Sequence, residues 1–111
     1  MLITSDRLLT TLEIPGHRIV RSLGLVHGIC VRARFFAVDI WAEIRMFFGG
    51  KIAVYEALSA QARDEALKHL ISQAEALGAN AVIGIRYDAS VMFSGSTEFF
   101  CYGTAVFIEE A

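Results

Sequence analysis

The stretch "ALGANAVIGIRYD", residues 76–88, contains two glycines, Gly78 and Gly84, around a run of small and β-branched residues. A dinucleotide-binding loop would need the order strand, G-x-G-x-x-G, helix. The order here is reversed, because a helical pattern precedes Gly78 and residues 81–87 alternate as in a strand. We therefore predict that Gly78 is the left-handed residue that ends a helix. Gly84 is expected within the strand, where its missing side chain admits a close neighbour, and the phosphate-loop interpretation is set aside.

A long amphipathic helix is predicted before this stretch, from about Val54 to Leu77. Its apolar positions recur at every fourth residue, at Leu58, Ala62, Ala66, Leu70 and Ala74. Charged and polar residues occupy the opposite face. This pattern is typical of a helix that buries one face in the core.

Three strands are predicted around the helix. The first spans Arg18 to Arg32 and contains Gly24 and Gly28, where we expect a bend or bulge. The second is Ala81 to Tyr87. The last, Thr97 to Ile108, is apolar on both faces, which is typical of a strand in a sheet interior or at a subunit interface.

Two further segments are less regular. Residues 8–14 form a short β-prone run that ends at the turn signal Pro15-Gly16. Residues 35–48 predict a second helix, with apolar residues at every fourth position and several aromatic side chains. We interpret that aromatic cluster as core and oligomer interface, with an apolar ligand pocket and a membrane-surface helix as the alternatives.

The composition predicts one domain, residues 1–111, that associates with itself. The chain is 55% apolar and only 20% charged, with a mean hydropathy of +0.51. Ordinary soluble domains are about 45–50% apolar and ~25% charged. Because large apolar patches are rarely left exposed, a domain this small is expected to cover the surplus with another subunit.

Charge and segment patterns exclude several classes of protein. The net charge of −2 and pI near 5.9 give no basis for nucleic-acid binding. The chain start lacks the order of a signal peptide, and residues 35–48 are too short and too charged to span a membrane. We therefore expect a cytoplasmic protein in which Cys30 and Cys101 are reduced thiols, and membrane association is disfavoured.

The conceivable soft-metal ligands are Cys30, Cys101, His17, His27 and His69. They form no C-x-x-C or H-x-x-x-H motif, and His27 and Cys30 should point to opposite faces of a strand. We interpret both cysteines as structural thiols, with a metal site assembled from several subunits as the alternative. No catalytic residue is predicted, since Asp39 and Glu43 are explained as a solvated helix surface.

Short motifs follow one another along nearly the whole chain: Ile14-Pro15-Gly16 before Ile19-Val20, Leu23-Gly24, Asp39-Ile40, Ala42 with Ile44-Arg45, Gly49-Gly50, Tyr55-Glu56, residues 77–84, and Gly103-Thr104-Ala105-Val106. In this order they resemble the YbjQ-like family of small bacterial and archaeal proteins. Members of that family are described only as "putative heavy-metal-binding" and have no settled activity.

The resemblance implies an α+β fold, a two-layer β-α-β-β subunit with a dodecin-like, mainly antiparallel sheet. It also implies short extra strands that join subunits into a ring, most often a pentamer. We expect a homo-oligomer that binds a small ligand or a heavy metal, and we favour a non-enzymatic role. An enzyme with its active site between subunits and a peripheral membrane protein using residues 35–48 remain alternatives. Cofactor and metal ligands stay unassigned, because the family's metal label maps onto no matching Cys or His here.

Overall fold

The computed structural model describes residues 3–33, 51–93 and 96–111, with side chains described at 3–31, 59–90 and 97–111. A short 3-10 turn, Ser5–Arg7, is followed by strand β1 (His17–Ala33), helix α1 (Lys51–Ala76), strand β2 (Ala81–Phe93) and strand β3 (Ser96–Glu110). The predicted β-α-β-β order is confirmed. The helix predicted at residues 35–48 lies outside the described residues.

The three strands form an antiparallel sheet in the order β1-β3-β2, so that β1 and β2 are its two edges. The bend predicted near Gly24 is confirmed, since the β1–β3 register shifts between Ile19 and Arg21 and again between Ser22 and Gly24. A further shift in β2 surrounds Gly84, whose φ of 63° is in the left-handed region. Gly84 thus supplies the backbone of a bulge.

Helix α1 packs on one face of the sheet through its small residues. Ala62, Ala66 and Ala74 are completely buried, as the helical periodicity predicted. A Cβ atom added at Gly28 would lie 1.7 Å from the backbone oxygen of Ala66. The expectation of a bulge at Gly28 is therefore wrong, because the register through this residue is continuous. Gly28 instead allows the helix backbone to approach β1 closely.

The helix ends as the sequence predicted. Gly78 has a φ of 85° and donates its N–H to the Glu75 carbonyl at 3.0 Å. The Ala79 N–H donates to the Ala74 carbonyl at 3.1 Å. These two bonds define a Schellman motif, in which the left-handed residue closes the helix and turns the chain into the next strand.

The β-prone run at residues 8–14 is not a strand, so that expectation is wrong. The segment follows the outer edge of β2 through separate bonds: the Leu9 N–H donates to Val82 at 3.0 Å, and the Ile85 N–H donates back to Leu9 at 3.0 Å. The bulge at Gly84 interrupts the regular spacing of β2 at this point. A continuous ladder with residues 8–14 therefore cannot form.

Strand β3 is buried on both faces over only part of its length. Ile14 at the end of the N-terminal segment covers Val106 and Ile108, which are 1% and 2% exposed. Tyr102, on the same face but beyond that segment, is 41% exposed. Within the single chain, the sheet-interior interpretation of residues 97–108 therefore holds only for the portion that the N-terminal segment reaches. For the rest of the strand, the subunit-interface alternative stays a prediction.

Strand β2 continues past the predicted end at Tyr87 to Phe93. Its added residues from Asp88 to Ser90 are exposed, so the apolar alternation that marks the buried part stops before the strand does. Within the part of the chain that the structure describes, no helix is long and apolar enough to cross a bilayer.

Candidate functional site

The two cysteines lie between the sheet and helix α1, on adjacent strands. Cys30 is paired in register with Phe99, and Cys101 is paired with Gly28, so the two thiols are diagonal neighbours on one sheet face. Cys30 is 6% exposed and Cys101 is completely buried. His27 is exposed on the other face, which confirms that His27 and Cys30 point in opposite directions.

The two thiols are held in different ways. The Cys30 Sγ–H donates to the Glu65 carboxylate, with 3.2 Å between Sγ and Oε2. Burial raises the pKa of the Cys101 thiol, against a smaller lowering by a hydrogen bond from the Gly28 backbone. Burial also raises the pKa of Tyr87, and the neighbouring Cys101 and Asp64 raise it further. A thiol held as S–H is a poor nucleophile and a poor metal ligand.

A separate cleft of about 1100 Å³ opens beside the N-terminal segment, lined by residues 10–17, Ile19 and Arg86. The Arg86 Nη1 donates to the Thr10 carbonyl at 2.9 Å and to the Ile85 carbonyl at 3.0 Å. His17 Nδ1 lies 3.2 Å from the Pro15 carbonyl, which can only accept, so this nitrogen carries the proton. The loop that forms the cleft wall is thus held by side chains from both edge strands.

The cleft can accept a small molecule with an anionic group. Ligand pockets commonly enclose about 300–1000 Å³, and a guanidinium binds carboxylates and phosphates through its planar set of donors. Within the described residues, Nε and Nη2 of Arg86 make no hydrogen bond that would compete. Leu12, which is 70% exposed on the same wall, adds an apolar surface.

The glycines of the opening stretch do not form a phosphate site. The Gly78 N–H donates to the Glu75 carbonyl at 3.0 Å, and the Gly84 N–H donates to the Thr11 carbonyl at 2.9 Å. A phosphate loop must direct such N–H groups at its ligand. Gly84 also has the predicted close neighbour, since an added Cβ would lie 3.1 Å from Leu12 Cδ2.

Comparison with known proteins shows which family shares this fold and sequence. The model of a family described as "Putative heavy-metal-binding", YbjQ, matches residues 7–109. The chain is 47% identical over 97 residues to a UPF0145 protein of Burkholderia mallei (strain SAVP1), covering 87% of each chain. It is 48% identical over 97 residues to a UPF0145 protein of Paraburkholderia phymatum, again over 87% of each.

The chain belongs to the YbjQ family. Its fold also resembles that of a crystal structure of a protein of unknown function from Pediococcus pentosaceus, of the DUF74 family. The TM-score is 0.60 and the identity 21%, over 92% of this chain and 96% of the other. At that identity the likeness extends to the fold and no further.

The described residues of this YbjQ chain do not fit a heavy-metal site within one subunit. No group of three or more His, Cys, Asp and Glu side chains converges among the described residues. Diagonal neighbours in an antiparallel pair are ~7–8 Å apart between Cα atoms, and the close approach of Ala66 to Gly28 fills the space beside Cys101. The burial of both thiols agrees with the structural role predicted for them.

Sequence reasoning did not identify the cleft. Arg86, which β2 contributes to the cleft, was interpreted only as the polar side of an alternating strand. The turn signal at Pro15-Gly16 marked the loop but gave no indication of what the loop would face. The bond between Arg86 and Thr10 spans 76 residues of sequence, and no local pattern encodes such a contact.

Proposed function

We propose that this chain is a non-enzymatic binding protein that works as a homo-oligomer and holds a small ligand in the cleft at Arg86. A ring is the expected assembly, with five subunits the first expectation from the family resemblance. The observation that carries the proposal is the set of large aliphatic side chains that β1 leaves exposed: Ile19 40%, Val20 48%, Leu25 71%, Ile29 42% and Val31 48%.

These exposed residues supply a driving force for association. Burial of apolar surface is worth roughly 25 cal/mol per Å², and soluble monomers rarely leave contiguous apolar surface of this kind exposed to water. All five residues belong to β1, which forms one edge of the sheet. An assembly that covers β1 therefore accounts for the apolar surplus of the composition and for the place where this surplus is exposed.

The cleft supports a small ligand more directly than it supports a metal. It combines the Arg86 guanidinium with an apolar wall, whereas heavy-metal binding would need ligands beyond those that one described subunit offers. The thiols of Cys30 and Cys101 are buried between helix and sheet. We therefore place the ligand at Arg86 and assign no metal ligands.

Native mass spectrometry of protein purified without chelator tests assembly and ligand in one spectrum. We expect a mass several times 12.2 kDa, with a retained organic species that the Arg86→Met variant loses. A spectrum that contains the single chain alone would refute the proposed assembly. Retained zinc, copper or mercury in place of an organic species would refute the assignment of the ligand to the cleft.

A further inference from the structure

The sheet has a face that neither helix α1 nor the N-terminal segment covers, which we name the open face. Residues Val26, Gly28 and Cys30 of β1 are buried on the helix side. Since side chains alternate along a strand, their neighbours point the other way. With the residues paired to them, the open face consists of Leu25, His27, Ile29 and Val31 on β1, Glu98, Phe100, Tyr102 and Thr104 on β3, and Arg86, Asp88 and Ser90 on β2.

The centre of the open face is apolar and partly exposed. Leu25 and Ile29 are 71% and 42% exposed, and Tyr102 is 41% exposed. The rings of Phe100 and Tyr102 stack with centroids 6.1 Å apart and an interplanar angle of 24°. The N-terminal segment lies beyond the open face, over Val106 and Ile108 on the same side of the sheet.

The register arranges these residues in rows across the three strands. One row is His27, Tyr102 and Arg86, and the next is Ile29, Phe100 and Asp88. At the β2 edge of the sheet, the first row therefore ends in the positive charge of Arg86 and the second row in the negative charge of Asp88. They also carry one aromatic residue each on the central strand.

This arrangement is complementary to itself. A two-fold axis that lies between the two sheets and parallel to their planes, perpendicular to the strands and midway between the two rows, places each row opposite the other row of a second copy. Arg86 then meets Asp88 of the second copy, and Phe100 meets Tyr102. Opposite charges and stacked aromatic residues are thereby paired at once, which is the property of an isologous interface.

The rows on either side of these two are also complementary when related by the same two-fold axis. Leu25 meets Val31 of the second copy, so an aliphatic residue lies against an aliphatic residue on β1. On β3, Thr104 meets Glu98, where the hydroxyl can donate to the carboxylate. No pair of like charges is created by this operation among the residues of the open face.

We infer that the open face is a docking surface for the open face of a second copy of this chain, joined by two reciprocal Arg86–Asp88 ion pairs around a Phe100–Tyr102 centre. This inference rests on the homo-oligomer proposed above and names a second contact within it. Because Arg86 also lines the proposed ligand cleft, Arg86→Met should halve the mass as well as release the ligand, and the Asp88 variant is the one that tests this contact alone. A two-fold contact makes the number of subunits even. If the chain forms a five-membered ring, the contact joins two rings into an assembly of ten.

The size of the face predicts how strong the contact is. The eleven residues of the open face, at ~4.8 Å between strands and ~6.8 Å between same-face residues, cover a flat area of ~360 Å². Stable interfaces bury about 800 Å² per partner, so one such contact is weak. Contacts repeated around a ring act together and reach a much higher avidity.

Charge reversal tests the contact. We expect the wild-type chain to have an even number of subunits by light scattering, and Asp88→Arg to halve the mass because Arg86 then faces a second cation. The double variant Arg86→Asp with Asp88→Arg restores opposite charges and should restore the mass. Asp64→Arg, the same charge change on an exposed residue of α1, serves as the control and should leave the mass unchanged.

The outcomes separate this inference from the proposal on which it depends. An oligomer with an odd number of subunits, or one whose mass Asp88→Arg leaves unchanged, overturns the docking of open faces while the homo-oligomer stands. A wild-type chain that is monomeric at every concentration overturns both. Circular dichroism of each variant confirms that a change in mass is not a loss of fold. The substitution Tyr102→Glu, which places a charge at the centre of the face, should halve the mass as well.

Discussion

Gly28 determines how closely the helix approaches the sheet, because its position has no room for even a methyl group. An added Cβ would lie 1.7 Å from the Ala66 carbonyl oxygen and 2.7 Å from the Leu70 nitrogen. Both are backbone atoms, so rotation of a side chain cannot relieve the contact. Gly28→Ala should therefore lower the free energy of unfolding by about 1–3 kcal/mol or more, the usual cost of overpacking.

Urea unfolding measures this cost. Ser22→Ala, at an exposed position of the same strand, is the matched control and should change the free energy of unfolding by less than about 0.5 kcal/mol. Equal stability of Gly28→Ala and the wild-type chain would contradict the close approach of α1 to β1.

The Cys101 thiol makes the free energy of unfolding depend on pH in the alkaline range. Folding raises its pKa above the ordinary value of 9.0, so the native state holds the proton more tightly than the unfolded state. The stability that this difference contributes is complete below the unfolded pKa and is lost as the pH rises through the folded pKa. Tyr87 acts in the same direction from its ordinary value of 10.0.

We expect the melting temperature to fall as the pH rises above 9.0, and to fall less steeply in Cys101→Ala. Calorimetry over a series of alkaline buffers makes the comparison, and the difference between the two slopes isolates the thiol from other groups. Parallel slopes for the two proteins would show that the Cys101 thiol is not protected from ionisation by the fold.

Residue roles that depend on alternation or on backbone conformation could be predicted from the sequence. The opposite facing of His27 and Cys30 and the left-handed Gly78 are examples, since each depends on neighbours within a few positions. The hydrogen bond from Cys30 to Glu65 could not be predicted, because the two residues are 35 positions apart and meet only when α1 packs on β1.

At the scale of elements, helix α1 closes part of the exposed edge of β1. The Gln73 Oε1 accepts a hydrogen bond from the His27 N–H at 2.8 Å, and His69 Nδ1 donates to the Ile29 carbonyl at 2.9 Å. Unpaired groups on an edge strand invite pairing with other chains. These two side chains therefore protect the middle of β1 from unwanted strand addition.

Gln73→Ala removes the acceptor for the His27 N–H. We expect a loss of about 0.5–1.5 kcal/mol in the free energy of unfolding, together with faster aggregation on warming. Gln73→Glu, which keeps an acceptor oxygen at the same reach, should retain most of the stability and the resistance to aggregation. Chemical denaturation and light scattering during heating give the two readouts, and indistinguishable behaviour of the Ala and Glu variants would refute the edge-protecting role.

Elements whose apolar residues repeat at a regular spacing were predicted well. Elements whose conformation depends on contacts with another segment of the chain were not. The apolar stripe of α1 and its glycine end gave a helix within a few residues of Lys51–Ala76. Residues 8–14 have the composition of a strand, yet their conformation depends on the bulge at Gly84, which the local sequence of residues 8–14 does not contain.

At the scale of the whole molecule, the composition predicted an apolar surplus and the structure shows where it lies. The exposed aliphatic residues of β1 run along one edge and one face of the sheet. The cleft at Arg86 could not be predicted, because its walls join residues 10–19 to a residue more than sixty positions later. Family membership supplies the fold but no ligand, so the proposed assembly is the property to test first.

Light scattering after size-exclusion chromatography, on wild-type protein diluted through the micromolar range, tests the proposed assembly most directly. The exposed edge and face of β1 predict a mass several times 12.2 kDa that persists on dilution, because burial of those residues favours association. A single species of 12.2 kDa at every concentration would contradict the account, since the aliphatic residues of β1 would then face water in the working protein.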